Sequence, residues 1–279
     1  MSIAVLGTGL LGSGFVLHQC DLGKPVVAWN RSRDKLAPLA EAGATLAATP
    51  AEAVAGAERV HLVLSEDRVV DAVLADVLDA LPADVPIIDH STNLPRGVAE
   101  RYTRLRSAGI RYLHAPVFMA PANSRAGTGM MLIAGPTAEV EALTPALEEM
   151  TGTVWHVGER PDLAAIHKLH GNACFIGLAG IVGDLLKMGA AQDLTPKETL
   201  ALFDAFQPGK SLPWIAKRVV RAEGAATDFA LAMARKDVRL MIDSAAGAPL
   251  NVLPSVAERM DAAIGDGDGD RDFAIFATK

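Results

Sequence analysis

The chain has 279 residues and a formal net charge of −7, and 50% of its residues are hydrophobic. This length favours two domains or one large domain, and it suffices to bury a core without disulfides or a structural metal. The hydrophobic content excludes general disorder. An acidic chain without a block of Lys and Arg is a poor candidate for binding nucleic acid or an anionic membrane.

The sequence also predicts the compartment. Cys20 and Cys174 are far apart and lack metal-type spacing, which suits reduced cytosolic thiols. No basic region precedes the first apolar stretch, so a signal peptide is not expected. The longest weakly polar run, residues 173–183, is shorter than the roughly 20 residues that span a bilayer. We therefore expect a soluble, cytoplasmic protein.

The first half of the chain alternates short apolar runs with helical patterns, which is typical of βαβ units and a parallel sheet. The predicted strands cover residues 3–6, 25–29, 59–64, 85–89, 112–117 and 130–134. The predicted helices cover residues 11–22, 33–42 and 69–81. The strand runs are continuously apolar, as expected for strands covered on both faces.

After about residue 163 the strand signals end, and helical periods continue to about residue 264. One long helix is predicted over residues 163–188, with an apolar centre. The predicted fold is therefore an α/β Rossmann-type doubly wound domain over residues 1–162. An all-α C-terminal domain over residues 163–279 follows it, joined by the long helix.

A glycine-rich segment follows the first predicted strand and opens the first helix. The spacing alone is a weak signal, but this context is typical of a dinucleotide-binding turn. Glycines there allow a tight turn, close approach of the pyrophosphate and packing of helix on strand, and the helix N-terminus offers N–H groups to an anion. An ordinary βα turn is the alternative. The predicted cofactor contacts here are Gly7, Thr8, Gly9, Leu10, Leu11 and Gly12.

The end of the second predicted strand indicates which cofactor binds. A carboxylate there would hold the ribose 2′-OH of NAD, but the chain has Asn30, Arg31 and Ser32 instead. Arg31 can pair with a 2′-phosphate, and Ser32 can hydrogen-bond to it. The alternative is a solvated helix start, although cations are mildly unfavourable there. We predict NADP, with NAD as the less favoured cofactor.

Lys168, Gly171 and Asn172 share one face of the long predicted helix. Lysine is rarely buried without a role or a partner. Beside a nicotinamide, a lysine can give its proton to a carbonyl oxygen while hydride reaches the carbon, which is general acid catalysis. On spacing alone, an exposed lysine near a helix start is the favoured interpretation.

Five segments in the same order resemble the β-hydroxyacid dehydrogenase family, which includes 3-hydroxyisobutyrate dehydrogenases and tartronate semialdehyde reductases. They are GTGLLG at 7–12, DHSTNLP at 89–95, HKLHGN at 167–172, KDVRL at 236–240 and GDGDRD at 267–272. The resemblance implies a Rossmann domain followed by a helical domain, in dimers or tetramers.

The resemblance also implies roles for individual residues. Lys168 would be the catalytic acid/base, with Asn172 as a supporting polar group, and Ser91 would lie at the substrate. The further residues implied to contact the cofactor are Leu64, Ser65, Val69, Thr92 and Lys236.

Two departures from the family put the substrate in question. The family's DAPVSGG loop, which binds a substrate carboxylate, is HAPVFMA at 114–120, so Phe118, Met119 and Ala120 are predicted to line an altered pocket. The family's second Asn is Gly171. We therefore expect a substrate that is larger or less polar than a short 3-hydroxy acid, or an acid group held elsewhere.

Four histidines, His90, His114, His167 and His170, are expected near the site. A structural role is favoured over substrate hydrogen bonding or a proton relay. A metal site is conceivable for the pair on the helix, but no metal is predicted.

The predicted function is an NADP-dependent oxidoreductase that interconverts an aldehyde or ketone and its alcohol. An imine reductase is the nearest alternative, although those enzymes usually lack the lysine. A cofactor-binding module without turnover is the non-enzyme alternative. The expected partners are a small-molecule substrate and a second copy in a homodimer or homotetramer.

Overall fold

The computed structural model describes residues 2–279. The chain divides into two compact units, the first ending at Asn172 and the second running from Ala173 to Lys279. The predicted boundary at residue 162 precedes the long helix α8 (Leu163–Ala190), whereas the boundary between the compact units lies inside it.

The first unit contains one mixed sheet. Its strands are β1 Ser2–Leu6, β2 Val26–Trp29, β3 Thr45–Leu46, β4 Ala57–Leu62, β5 Ile87–Asp89, β6 Tyr112–His114, β7 Val117–Phe118, β8 Met130–Ala134 and β9 Thr153–Gly158. The strand order is β3-β2-β1-β4-β5-β6-β8-β7, and β9 pairs with β8. The strands from β3 to β6 in this order are parallel, while β8 runs antiparallel to β6 and β7.

Helices cover this sheet. They are α1 Leu10–Asp21, α2 Ala37–Glu41, α3 Pro50–Val54, α4 Asp67–Val77, α5 Pro95–Ser107, α6 Pro121–Ala126 and α7 Thr137–Thr151. Successive side chains of β1 point to opposite faces of the sheet. Ala4 and Leu6 therefore pack into one apolar cluster and Ile3 and Val5 into another. Both faces are buried, which confirms the predicted doubly wound Rossmann-type domain.

The order β3-β2-β1-β4-β5-β6 is that of a dinucleotide-binding fold, and the order reverses between β1 and β4. Ligands of such sheets bind at the carboxyl ends of the strands near this reversal. The predicted site residues after β1, β2, β4 and β5 all follow carboxyl ends and therefore belong to the same edge of the sheet.

The prediction of a single strand over residues 112–117 is wrong. The structure divides it into β6 and β7, with Ala115 and Pro116 between them. Proline has no N–H and cannot donate to a strand ladder. The pairing with β5 therefore ends with the hydrogen bond from the Ala115 N–H to the Asp89 carbonyl, and pairing with β8 follows at Val117.

Other differences concern element ends and strands that were not predicted. The helix predicted over residues 33–42 begins as a 3₁₀ turn over Arg33–Leu36 and continues as α2. Strand β3 has only two residues, both exposed, and gave no apolar run. Strand β9 escaped prediction because its residues alternate between exposed and half-buried instead of forming a continuous apolar run.

The second unit is helical, as predicted. After α8 come α9 Pro196–Leu200, α10 Leu202–Ala205, α11 Leu212–Arg221, α12 Leu231–Ser244 and α13 Leu253–Gly265. Leu231, Val238 and Met260 belong to its buried core. Asp184 of α8 is buried and accepts hydrogen bonds from the backbone N–H groups of Val252 and Leu253, which begin α13.

Helix α8 is long and apolar enough to cross a membrane, with a mean hydropathy of 1.6 over an 18-residue window. A single helix of this kind is weak evidence for a membrane span, because helices of soluble proteins pass the same test. Its stretch 173–179 is exposed, including Phe175 at 68% and Ile176 at 72%. This stretch is therefore an apolar surface that the described chain leaves uncovered.

Candidate active site at the carboxyl edge of the sheet

The glycine-rich turn depends on its first and last glycines. Gly7 has φ +100°, and a Cβ there would lie 2.3 Å from the carbonyl oxygen of Val63. A Cβ on Gly12 would lie 1.9 Å from the carbonyl oxygen of Gly7. Both contacts are with backbone atoms that cannot rotate away. The turn is therefore closed to any side chain at these two positions, as the sequence predicted for packing of α1 on β1.

The same turn fits the pyrophosphate of a dinucleotide. No atom lies within 4 Å of a Cβ built on Gly9, so the backbone is open to a ligand at the N-terminus of α1. Thr8 is 2% exposed, and its Oγ1 has no hydrogen-bond partner within the described structure. A buried hydroxyl without a partner is costly, and a phosphate oxygen would satisfy it. Leu10 is exposed beside the turn, while Leu11 packs against the core.

Asn30 ties the end of β2 to the turn. Its Oδ1 accepts a hydrogen bond of 3.0 Å from the backbone N–H of Thr8, and its Nδ2 donates to the carbonyl of Ser32 at 3.0 Å. Arg31 is exposed and Ser32 half-buried, and Arg31 makes no ion pair among residues 2–279. An unpaired guanidinium at this position is available to a 2′-phosphate.

The segment after β5 is organised by Asp89, which the sequence analysis did not select. This carboxylate is fully buried and accepts hydrogen bonds from the Ser91 N–H and the Asn93 side chain, both at 2.9 Å, and from the Tyr112 hydroxyl at 2.7 Å. The Arg101 guanidinium lies 3.9 Å away. The signal for this role was an acidic residue ending an otherwise apolar strand.

Ser91 joins the ends of β4 and β5. It is 2% exposed, and its Oγ accepts a hydrogen bond of 3.0 Å from the backbone N–H of Leu64. Leu64 and Val69 pack against the core cluster under the sheet, while Ser65 and Thr92 are exposed. The structure therefore brings Leu64 and Ser91 together, and it leaves the side chains of Ser65 and Thr92 open to a ligand.

Lys168 lies at the start of α8, half-buried. Its ammonium donates a hydrogen bond of 2.8 Å to the carbonyl of Val117 and lies 4.4 Å from the centre of the Phe118 ring. Burial lowers the pKa of Lys168. A lysine whose proton is less firmly held and which still has free N–H donors is suited to proton transfer. The Val117 carbonyl was not anticipated, and Pro116, which breaks the strand, was its only sequence signal.

Phe118 and Gly171 are in direct contact. A Cβ on Gly171 would lie 2.2 Å from Cζ of the Phe118 ring, so the ring fills the space that a side chain there would need. Met119 is half-buried and packs at the same edge of the core, and Ala120 is exposed at the start of α6. The loop surface next to Lys168 is therefore aromatic, and residue 118 offers no hydroxyl there.

The roles of two further predicted residues are not tested by these hydrogen bonds. Asn172 is half-buried on α8, and its side chain makes no hydrogen bond within residues 2–279. Lys236 belongs to the second unit, on α12, where its ammonium pairs with Asp237 at 2.9 Å. The cofactor role of Lys236 and the supporting role of Asn172 stay predictions.

The two helix histidines form an aromatic group. The rings of His167 and His170 meet edge to face at 6.2 Å, and Trp155 lies 5.2 Å from His167. Over residues 2–279, no three His, Cys, Asp or Glu side chains are grouped so that they could hold a metal ion.

Comparison with known proteins identifies the family. Residues 2–158 match the family model of the NAD binding domain of 6-phosphogluconate dehydrogenase. The chain belongs to this family. Its relatives include β-hydroxyacid dehydrogenases, which confirms the resemblance found in the sequence. The chain is an NAD(P)-dependent oxidoreductase of this family.

Three known proteins illustrate the likeness. The chain is 24% identical over 98% of its length to the NADPH-dependent reductive aminase of Aspergillus oryzae, 94% of which is covered. It is 26% identical over 88% of its length to the 3-sulfolactaldehyde reductase of Escherichia coli, 83% of which is covered. The imine reductase from Myxococcus stipitatus in complex with NADP+ superposes with a TM-score of 0.88 at 22% identity, over 100% of this chain and 99% of that one. At this identity the superposition shows the shared fold.

Proposed function

We propose that this protein is an NADPH-dependent reductase that interconverts an aldehyde or ketone and its alcohol, with Lys168 as the general acid. The observation that carries the proposal is the half-buried Lys168 ammonium, held by the Val117 carbonyl and covered by the Phe118 ring. In the reverse direction the neutral amine takes the proton from the alcohol.

The chemistry follows from where charge develops. When bound, a reduced nicotinamide supplies hydride to the carbonyl carbon, and negative charge then develops on the carbonyl oxygen. The Lys168 ammonium stabilises that charge and transfers one proton to the oxygen, so an alcohol forms and a neutral amine remains. The Val117 carbonyl orients the ammonium by accepting one of its three N–H groups.

The surroundings of Lys168 favour a substrate of low polarity at this loop. Phe118 presents its ring beside the ammonium, and the next residue, Met119, packs against an apolar cluster of the core. A carboxylate placed against them would lose its hydration without gaining a donor from residue 118. We therefore favour aldehydes and ketones that are larger or less polar than a short semialdehyde acid.

Arg31 supports NADP over NAD. The guanidinium is exposed, has no carboxylate partner and follows β2, where a 2′-phosphate would lie in this fold. The Asn30 hydrogen bond to Thr8 keeps this segment next to the glycine-rich turn.

Imine reduction is the second candidate, favoured by the reductive aminase among the relatives and by the aromatic wall beside residue 168. The charge of Lys168 argues against it. A protonated imine is a cation, and an ammonium within hydrogen-bonding distance would repel it, whereas a carbonyl gains stabilising charge. A carbonyl substrate therefore fits the protonated lysine better.

The test is NADPH oxidation by the full-length protein at neutral pH over short semialdehyde acids, bulkier aldehydes, ketones and cyclic imines. We expect turnover of bulkier carbonyls that Lys168→Met abolishes while NADPH still binds. Cyclic imine turnover that survives Lys168→Met would favour the imine reductase. NADPH binding without turnover of any compound would favour a cofactor-binding module.

We also propose that the protein is a cytoplasmic homodimer or homotetramer. The exposed stretch 173–179 of α8, with Phe175 and Ile176, is an apolar surface that a second copy would cover. Light scattering on the purified protein is expected to give at least twice the monomer mass of 29.2 kDa. A monomer that binds to lipid vesicles would contradict both parts of this proposal.

A further inference from the structure

Two buried histidines, one after β5 and one at the end of β6, connect the ends of these strands through side-chain hydrogen bonds. His90 follows β5, and its Nδ1 lies 2.6 Å from the carbonyl oxygen of Ala115. His114 ends β6, and its Nε2 lies 2.9 Å from the carbonyl oxygen of Ser91. Each ring is therefore hydrogen-bonded to the backbone next to the other histidine. We call this pair the histidine clamp.

The hydrogen bonds fix where the protons are. A carbonyl oxygen only accepts, so Nδ1 of His90 and Nε2 of His114 must each carry a proton. The other ring nitrogen of His90, Nε2, lies 2.9 Å from Nδ1 of His61. Arg59 in turn donates a hydrogen bond of 3.2 Å to Nε2 of His61. Donation therefore runs in one direction, from Arg59 through His61 and His90 to Ala115.

Every ring nitrogen of His61 and His90 has a hydrogen-bond partner when both imidazoles are neutral. The rings of His61 and His90 stack at 5.2 Å with 9° between their planes, inside the sheet domain. Nδ1 of His114 is buried without a partner, so a second proton there would be a buried donor without an acceptor. Burial lowers the pKa of His90 to about 4 and also lowers that of His114. The clamp is therefore a neutral structure.

The clamp holds the two segments that form the site around Lys168. On one side it holds Ser91, whose Oγ accepts from the backbone of Leu64. On the other it holds Ala115, two residues before the Val117 carbonyl that accepts from Lys168. Removing either ring would free one backbone carbonyl and leave the segment between β6 and β7 with fewer restraints.

We propose that His90 and His114 are positioning residues, which act by holding the Val117 carbonyl where it orients the Lys168 ammonium. The inference rests on the proposed function of Lys168. Neither histidine touches the reacting atoms. Their effect on the reaction passes through the backbone from Ala115 to Val117.

Substitutions at positions 90 and 114 distinguish the effect of the donated hydrogen bond from the effect of the volume of the ring. His114→Gln keeps a donor near the position of Nε2, whereas His114→Leu removes it. His90→Asn likewise keeps a donor near Nδ1, and His90→Leu removes it. His156→Leu is the matched control, because its Nε2 makes the same kind of bond, 2.9 Å to the Gly135 carbonyl, on strand β9.

The readouts are kcat, KM, the NADPH dissociation constant and the alkaline limb of the pH–rate profile, on the best carbonyl substrate. We expect both leucine variants at positions 90 and 114 to lower kcat about tenfold or more and to move the alkaline limb, with NADPH affinity unchanged. The amide variants are expected to recover most of kcat, and His156→Leu to keep it. Folded leucine variants with unchanged kcat and an unchanged alkaline limb would overturn the inference.

A second measurement does not depend on turnover. In the ¹⁵N spectrum of the full-length protein, His61 and His90 are expected to carry a proton on Nδ1 alone from pH 7.5 to 5.5, and His114 on Nε2 alone at pH 7.5. The opposite tautomers, or protonation of His90 between pH 7.5 and 5.5, would overturn the inference even if a variant does not fold. Turnover that is indifferent to Lys168→Met would overturn the proposed function instead, so the two failures are distinguishable.

Discussion

The Phe118 ring lies where a side chain of residue 171 would be, since a Cβ on Gly171 would come within 2.2 Å of the ring carbon Cζ. The same ring lies 4.4 Å from the Lys168 ammonium, one helical turn before Gly171. An aromatic residue at 118 and a glycine at 171 therefore belong together. Changing one without the other should disturb the lysine.

The first prediction concerns this pair. Gly171→Ala is expected to force the ring aside and destabilise the protein by about 1–3 kcal/mol, as overpacking does. Phe118→Ala removes the obstacle, so adding Gly171→Ala to it should cost less than adding it to the wild type. Urea denaturation of the four proteins gives the coupling free energy, expected at about 0.5–3 kcal/mol. Additive effects would mean that the ring and residue 171 do not touch.

The second prediction concerns the protonation of Lys168. Since the ammonium is the acid, kcat/KM for carbonyl reduction should fall as pH rises through the pKa of Lys168. Burial lowers this pKa, so the midpoint should lie below the ordinary lysine value of 10.5. Lys168→Arg is expected to abolish the alkaline limb in this range, because arginine stays protonated, and to retain little activity. An alkaline limb that persists in this variant would assign the titration to another group.

The third prediction concerns cofactor choice. Arg31→Ala should weaken NADPH binding about tenfold, equivalent to about 1.4 kcal/mol, and leave NADH binding unchanged. Arg96→Ala on α5 is the control, because that arginine is also exposed and pairs with Glu100. Fluorescence titration with both cofactors measures the ratio. Equal losses for NADPH and NADH would contradict a contact with the 2′-phosphate.

The fourth prediction concerns stability in mild acid. Burial lowers the pKa of His90 from 6.5 to about 4 and lowers those of His61 and His114. The unfolded chain takes up protons at about pH 6.5, whereas the folded chain does so only at lower pH. The stability contributed by His90 is therefore fully present above about pH 6.5 and is lost as pH falls toward 4, by about 1.4 kcal/mol for each pH unit. The lowered pKa values of His61 and His114 add to this loss in the same direction.

Urea denaturation at pH 7.5, 6.5 and 5.5 tests this loss in a range where most carboxyl groups stay ionised. His90→Phe should be less stable at pH 7.5 and show a smaller change between the three pH values. A free energy of unfolding that does not change from pH 7.5 to 5.5 would show that these histidines are protonated without unfolding.

Much of the molecule was already determined by the sequence. Strands β1, β2 and β5 are nearly continuous apolar runs, and such runs specify burial on both faces of the sheet. The glycine-rich turn was predictable because its requirement is local: only glycine accommodates φ +100° at Gly7 and the backbone approach at Gly12. Lys168 was selected because its place on an apolar helix coincides with the segment HKLHGN at 167–172, which resembles the family's catalytic segment.

The tertiary structure decided what surrounds these residues. Val117 and Phe118 precede Lys168 by about 50 positions in the chain. Asp89 meets the Tyr112 hydroxyl only because β5 pairs with β6. The histidine clamp likewise depends on how two strand ends lie side by side. Local pattern fixes backbone conformation and burial, because those depend on neighbouring residues. The partners of a buried polar group depend on which distant segments the fold brings within about 3 Å, and no spacing along the chain encodes that.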